Sequence, residues 1–342
     1  MTDTPVEPLP SPLLAVAVFA LFIVSGSLWI RVLRRRLLGG GRPLAADAWG
    51  EVAREETVLA AEGSADAGAG QVGAGELRRV VAPWGLIDLV ATFLLLSLMV
   101  ALLLMWVRQR MPMGTDTPLH ELPPSVGAQL LWINSLGMVL GTALGLVTIH
   151  MRTLATPRDL GWSRRECWSD LWLGARLFLL WSGPVLLLQI LLTIWFPYHH
   201  PLIDMLTKHR GWQMLLANVV AAVVVAPVCE ELLFRVLLQG WLDNIGQRGL
   251  LPVDWLVGPA AERRQVLGVG GRWWPVLVSA GLFAAAHATQ GPAPIPLFVL
   301  SLVLGRLYQE TGRVLPGIVV HFLLNSWSFG LLLLQLFQQG WS

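Results

Sequence analysis

Charge is the first scarcity. Only 13% of the 342 residues are Asp, Glu, Lys or Arg, while 55% are apolar. A soluble domain carries about a quarter charged residues, so this chain has too little polar surface to cover itself in water. Cysteine is the second scarcity. Cys167 and Cys229 are the only two, which excludes a disulfide framework and a paired-cysteine metal motif. Strict two-residue alternation is absent, which favours helices over a barrel as the way to cross a membrane. The net charge of +2 comes with short arginine clusters that membrane topology explains, so no nucleic-acid partner is expected.

What the chain has is long apolar runs. A hydrocarbon core takes roughly 20 residues of helix to span. Runs of that kind lie at about 12–30, 84–107, 126–149, 171–196 and 212–238. Two shorter ones follow at 274–288 and 295–307, and a last one at 315–337. The fold class expected is all-α, a polytopic transmembrane helix bundle of about eight spans. Arginine placement agrees with that count. Arg31, Arg34, Arg35 and Arg36 follow the first run, Arg152, Arg158, Arg164 and Arg165 the third, and Arg248, Arg263, Arg264 and Arg272 the fifth. Arg306 and Arg313 follow the seventh, and only Arg108, Arg110, Lys208 and Arg210 fall on the opposite side. Both termini are then expected outside. Trp29, Trp84, Trp106, Trp195, Trp212, Trp273, Trp274 and Trp341 sit at predicted span ends and read as an aromatic belt.

Four regions are expected. Residues 1–36 form an uncleaved anchor helix, because its arginines follow the apolar core where a signal peptide would carry them before it. Residues 37–83 are a polar, Gly/Ala-rich inner-side linker, with a short surface helix as an option at 45–61. Residues 84–169 hold two transmembrane helices with their loops. Residues 170–342 hold the polar groups that call for an explanation.

An ionisable side chain at the bilayer centre costs on the order of 3 kcal/mol, yet Glu230, Glu231 and Arg235 lie deep in the fifth run. Glu231 and Arg235 are four apart on one helix face and can pair. One arginine cannot neutralise two carboxylates, so Glu230 is a candidate general base. His287 closes Phe283-Ala284-Ala285-Ala286-His287 in the sixth run. His321 and Asn325 stack four apart in the eighth. Counted from the inner ends, these positions fall at compatible depth, in a cavity expected to open to the inner side.

A carboxylate, two histidines and an amide can hydrolyse a peptide bond without a covalent intermediate. Glu230, helped by His287, would take a proton from water; His321 and Asn325 would serve the oxyanion. H-E-x-x-H and G-x-S-x-G are absent, and no span pair offers two aspartates. Cys229 beside Glu230 is a weaker candidate nucleophile, since a thiol needs a close histidine. Zinc on two histidines and a carboxylate is a rival to the metal-free reading, in which no cofactor is needed. A non-catalytic immunity or scaffold protein, packed by the same polar cluster, is the alternative function. A proton-coupled transporter ranks last, because the outer halves of the spans are nearly free of polar residues.

The ordered set E-E-x-x-x-R (Glu230, Glu231, Arg235), F-x-x-x-H (Phe283, His287) and H-x-x-x-N (His321, Asn325) resembles the CPBP family, the CAAX- and bacteriocin-processing membrane proteases also called the Abi family. The stretch Gly305–Asn325, with Thr311-Gly312 and Pro316, looks like that family's last helical hairpin. The resemblance covers residues 212 to the C-terminus and, more loosely, the two spans before it, so residues 170–342 are expected to form a CPBP-like intramembrane protease core; 1–110 and the 241–272 loop are left without counterpart. It implies an intramembrane endopeptidase in which Glu230 and His287 activate water and His321 with Asn325 form the oxyanion hole. The partners expected are membrane lipid and a peptide or lipidated protein substrate. The location expected is the bacterial inner membrane, with the catalytic cavity on the cytoplasmic side.

Overall fold

The computed structural model describes residues 12–39, 79–110, 123–196, 206, 211–245, 247–263, 266–267 and 272–338. The connector at 40–78, with the option of a helix at 45–61, lies outside the described residues, as do Lys208, Arg210 and Trp341.

The described residues are helical nearly throughout. In order come α1 (Pro12–Gly39), α2 (Leu86–Arg108), α3 (Pro124–Thr153) and α4 (Cys167–Trp195). A long α5 (Trp212–Asn244) follows, then a short α6 (Pro252–Val257). The chain then forms α7 (Trp273–Ala286), α8 (Pro294–Thr311) and α9 (Leu315–Gln338). Six of these, α1 to α5 and α9, are long and apolar enough to cross a membrane. The two brief runs among the eight form α7 and α8, of 14 and 18 residues, which fall short of that standard. The protein is a multi-pass helical membrane bundle.

Small residues and prolines set how the helices meet. On α3, Gly137, Gly141 and Gly145 form a stripe at four-residue spacing against Val100, Leu96 and Thr92 of α2. A Cβ at Gly141 would come within 2.5 Å of the Leu96 Cα, so the stripe is what lets these two backbones approach. On α4, Pro184 has no N–H to offer the carbonyl four residues back. That carbonyl, of Leu180, instead accepts from Ser25 Oγ at 2.8 Å and Trp29 Nε1 at 2.9 Å, both on α1. Helix α1 is thereby docked at a specific place on the bundle. Its Leu21 belongs to one apolar cluster with Leu177 of α4, Leu304 of α8 and Val320 of α9.

Residues 79–85, the end of the expected linker and the start of the second run, are built into the body of the protein. Arg79 and Val80 (β1) pair antiparallel with Val266 and Leu267 (β2). Ala82 exchanges two backbone bonds with the Asn244 carboxamide, at 3.0 and 2.8 Å. Gly258, with φ +86, passes directly under the Pro83 carbonyl. Trp84 is fully buried and donates Nε1–H to the Leu237 carbonyl of α5 at 3.0 Å. It is therefore not part of the headgroup belt in which its position at a span end had placed it. Its bond explains the difference, since an indole N–H that finds a buried carbonyl has no need of the interface.

Candidate active site

The site is built on α5, and α5 is not a uniform α-helix. Trp212–Asn218 is α-helical, Val219–Val225 is π-helical, Ala226–Glu230 is α-helical again, and Glu231–Gln239 is a second π segment. Wide turns of this kind leave carbonyls without their ordinary partners and recur at functional sites. Within its two π segments, three carbonyls accept from side chains elsewhere. Asn325 Nδ2 donates to Ala222 at 2.8 Å, Ser279 Oγ to Phe234 at 2.9 Å, and Trp84 to Leu237.

Five of the six candidate residues come together. Glu230 faces both histidines: its Oε1 lies 3.9 Å from His287 Nε2 and its Oε2 lies 3.7 Å from His321 Nε2. His321 turns its other nitrogen, Nδ1, to Glu231 Oε1 at 3.3 Å. Glu231 Oε2 in turn lies 3.2 Å from Arg235 Nε. The guanidinium sits 5.0 Å above the Phe283 ring, which also makes edge contact with His321. The sixth residue, Asn325, is on the same helix as His321, and its amide is held on Ala222 as described above.

Burial divides the group. Glu231, Arg235 and His321 are sealed, whereas Glu230 and His287 keep side-chain exposures of 18% and 16%. Of these five, the latter pair has an open edge for a reactant, and Asn325 is partly exposed as well. His287 does not continue α7, although the sixth apolar run extends through it. The helix ends at Ala286, and His287 starts a turn at φ −103, ψ 14. The following Gly291, Pro292 and Pro294 carry the chain into α8, and prolines so placed do not extend a helix. In that turn His287 Nδ1 lies 2.8 Å from the Phe283 carbonyl. A carbonyl only accepts, so Nδ1 carries a proton and Nε2 is the ring atom turned toward Glu230.

Cys229 is buried where α5 meets Thr142 of α3, which is a hydroxyl partner and not the histidine that a thiol nucleophile needs. Among the described residues, no group of three or more His, Cys, Asp or Glu side chains is arranged to hold a metal ion.

Gly317 was missed. It stands one turn before His321 on α9, and a Cβ there would lie 3.0 Å from Glu231 Oε2. The signal was available, because Gly317, His321 and Asn325 share one four-residue spacing. The space for the buried carboxylate exists because that position carries no side chain.

Residues 212–327 match the family model described as type II CAAX prenyl endopeptidase Rce1-like. The similarity is to CAAX proteases. It covers about a third of the chain and takes in every residue of the cluster just described. No curated protein and no solved structure matches the chain significantly. The CAAX-protease-like segment thus consists of α5 through most of α9, and α1 to α4 with the 79–85 segment lie before it.

Proposed function

We propose that the chain is an intramembrane endopeptidase that cuts membrane-embedded or lipid-anchored proteins near an end, using water activated by Glu230. The observation that carries this reading is the approach of Glu230 to His287 and His321 at 3.9 and 3.7 Å, from three separate segments of the chain.

Both separations exceed a direct hydrogen bond. With the His287 ring neutral, its Nε2 lone pair and the Glu230 carboxylate are both acceptors, and what fits between them is a donor with two protons. A water molecule is such a donor. Glu230 takes one of its protons as the oxygen attacks the substrate carbonyl carbon, forming the C–O bond. His321 can donate from Nε2 to the resulting oxyanion only as the imidazolium, because Nδ1–H is turned to Glu231. The Asn325 N–H not bonded to Ala222 is the second donor. Collapse of the intermediate breaks the C–N bond, and the proton held by Glu230 passes to the departing amine. Glu231 touches no reacting atom in this scheme. It fixes the His321 ring and is itself held by Arg235, so both are positioning residues.

The reaction written this way uses no cofactor. In the competing form His287, His321 and Glu230 would be the residues that hold zinc, which would supply Lewis-acid polarisation, although they are not arranged as a ligand set in this structure. The partners proposed are the lipid around the bundle and a peptide or lipidated protein. The location proposed is the bacterial inner membrane, with the site open to the cytoplasmic side, as the arginine distribution favours.

The test compares membranes expressing the wild type and Glu230→Gln by mass spectrometry of new peptide termini. Termini that appear only with the wild type support the reading and reveal the substrate class. Identical termini, with both proteins folded and a panel of lipidated peptides uncut, favour the non-catalytic packing role. The Asn325–Ala222 bond and the sealed Glu231–Arg235 pair would serve that role as well.

A further inference from the structure

The bond from Asn325 to Ala222 has a cause in the chain itself. The first π segment of α5 closes with Ala226 N–H reaching back five residues to the Ala221 carbonyl. The next bond in that series would run from residue 227 to Ala222. Residue 227 is Pro227, which has no N–H. In that register Ala222 is left with a carbonyl that the helix does not serve, within a membrane-crossing span. Asn325, 103 residues later, supplies the donor at 2.8 Å.

The place of this repair matters for the site. Glu230 follows Pro227 by three residues, and His321 precedes Asn325 by one helical turn. One face of α9 therefore delivers both the imidazole beside Glu230 and the amide that completes the wide turn before it. A wide turn carries one extra residue, and one residue is about 100° of helix rotation. If α5 closed into a uniform α-helix above Ala226, the segment bearing Glu230 would turn by about that angle relative to Trp212–Asn218, and the carboxylate would leave the histidines.

We infer that Asn325 is a positioning residue that, together with Pro227, locks the wide-turn register of α5 and so aims Glu230 at His287 and His321. This function of one amide N–H is separate from any donation to substrate by the other. Its catalytic consequence rests on the endopeptidase reading, whereas the lock itself does not.

The experiment is a double-mutant cycle on the full chain in detergent, with wild type, Asn325→Leu, Pro227→Ala and the double variant. Alanine at 227 restores a backbone N–H within reach of Ala222, so the lock predicts that Asn325 matters far less in that background. Asn325→Leu should lower the Tm by about 3–8 °C beside Pro227, as expected for a stranded carbonyl, and by less than half as much beside alanine. Cleavage separates positioning from donation. With positioning, the double variant should turn over about 10-fold faster than Asn325→Leu alone, with the gain in kcat rather than KM.

An equal Tm loss in both backgrounds overturns the lock. A restored Tm with no gain in kcat overturns the positioning role and leaves Asn325 as a donor to substrate. If the wild type cleaves nothing, the endopeptidase reading falls, and the Tm cycle still decides the lock. Should Asn325→Leu not accumulate, Asn325→Ala removes the amide without the added bulk and carries the same comparison.

Discussion

His321 and Glu231 face each other inside the bundle, Nδ1 to Oε1 at 3.3 Å, with Glu231 wholly buried and His321 nearly so. A carboxylate so placed holds an N–H at Nδ1 and fixes the orientation of the ring. Glu231 has two charged duties, because the Arg235 guanidinium lies at its other oxygen and is equally buried.

The two duties are separable. Glu231→Leu leaves a buried guanidinium unpaired, which typically costs about 3–5 kcal/mol, so it should unfold at markedly lower temperature in detergent. Adding Arg235→Leu removes the stranded charge and should recover most of that loss, while cleavage should stay low because His321 still lacks its partner. Thermal unfolding and turnover measured on the same preparations check this. A double variant that regained both would show that Glu231 serves Arg235 alone.

Gly317 and Gly330 lie on the same helix in different surroundings. An exposed or open helical glycine changed to alanine ordinarily gains up to about 1 kcal/mol. At Gly330 an added methyl would have nothing within 4 Å, so Gly330→Ala should be neutral or slightly stabilising. At Gly317 the methyl would press on Glu231 Oε2, and that oxygen cannot retreat without disturbing Arg235. Gly317→Ala should cut turnover by about 10-fold, since small displacements of catalytic groups are expensive. Equal activity of the two alanine variants would mean that Glu231 tolerates displacement.

Most of the bundle was legible because its physics is one-dimensional. About 20 consecutive apolar residues admit few other interpretations, and α2, α4 and α9 emerge close to where the runs lie. Glu230, His287 and His321 were legible because charge inside such a run demands a partner. The π segments of α5 were not. Over nine residues, apolar periodicity scarcely separates 3.6 from wider turns, and the decisive mark was the single imino acid Pro227. Trp84 was misread for a related reason. A tryptophan at a run's end has the same sequence signature whether it meets headgroups or a buried carbonyl, and only the path of residues 79–85 decides between them. The exit of His287 from α7 was announced by Gly291, Pro292 and Pro294, but apolar content carried the expected span past the true helix end.

The metal question has a direct outcome. A water activated by Glu230 and His287 alone predicts that purified, active protein contains far less than one zinc per chain by elemental analysis. It also predicts that turnover survives a strong chelator. Stoichiometric zinc lost together with activity, and restored with it, would replace the metal-free scheme.

Trp84 links the segment before α2 to the helix that carries the site. Its Nε1–H fills the Leu237 carbonyl, two residues after Arg235 and inside the second π segment. Trp84→Phe keeps most of the buried aromatic volume and removes only that donor, so its effect isolates the bond. The Leu237 carbonyl also accepts the Gly240 N–H, so losing the indole donor should cost less than the about 1–3 kcal/mol of a fully stranded carbonyl, and Trp84→Phe should lower the Tm modestly. Because the freed carbonyl lies in the turn that follows Arg235, hydrogen exchange should rise first in Glu231–Asn244 and only later in α2. The reverse order would place the weakness in the packing of α2 and make the Leu237 bond incidental. The Ala82–Asn244 pair supplies the control. Asn244→Leu cuts the same strap five residues beyond Gln239, outside the π segment, so it should loosen residues 79–85 while leaving exchange around Glu231 close to the wild-type level.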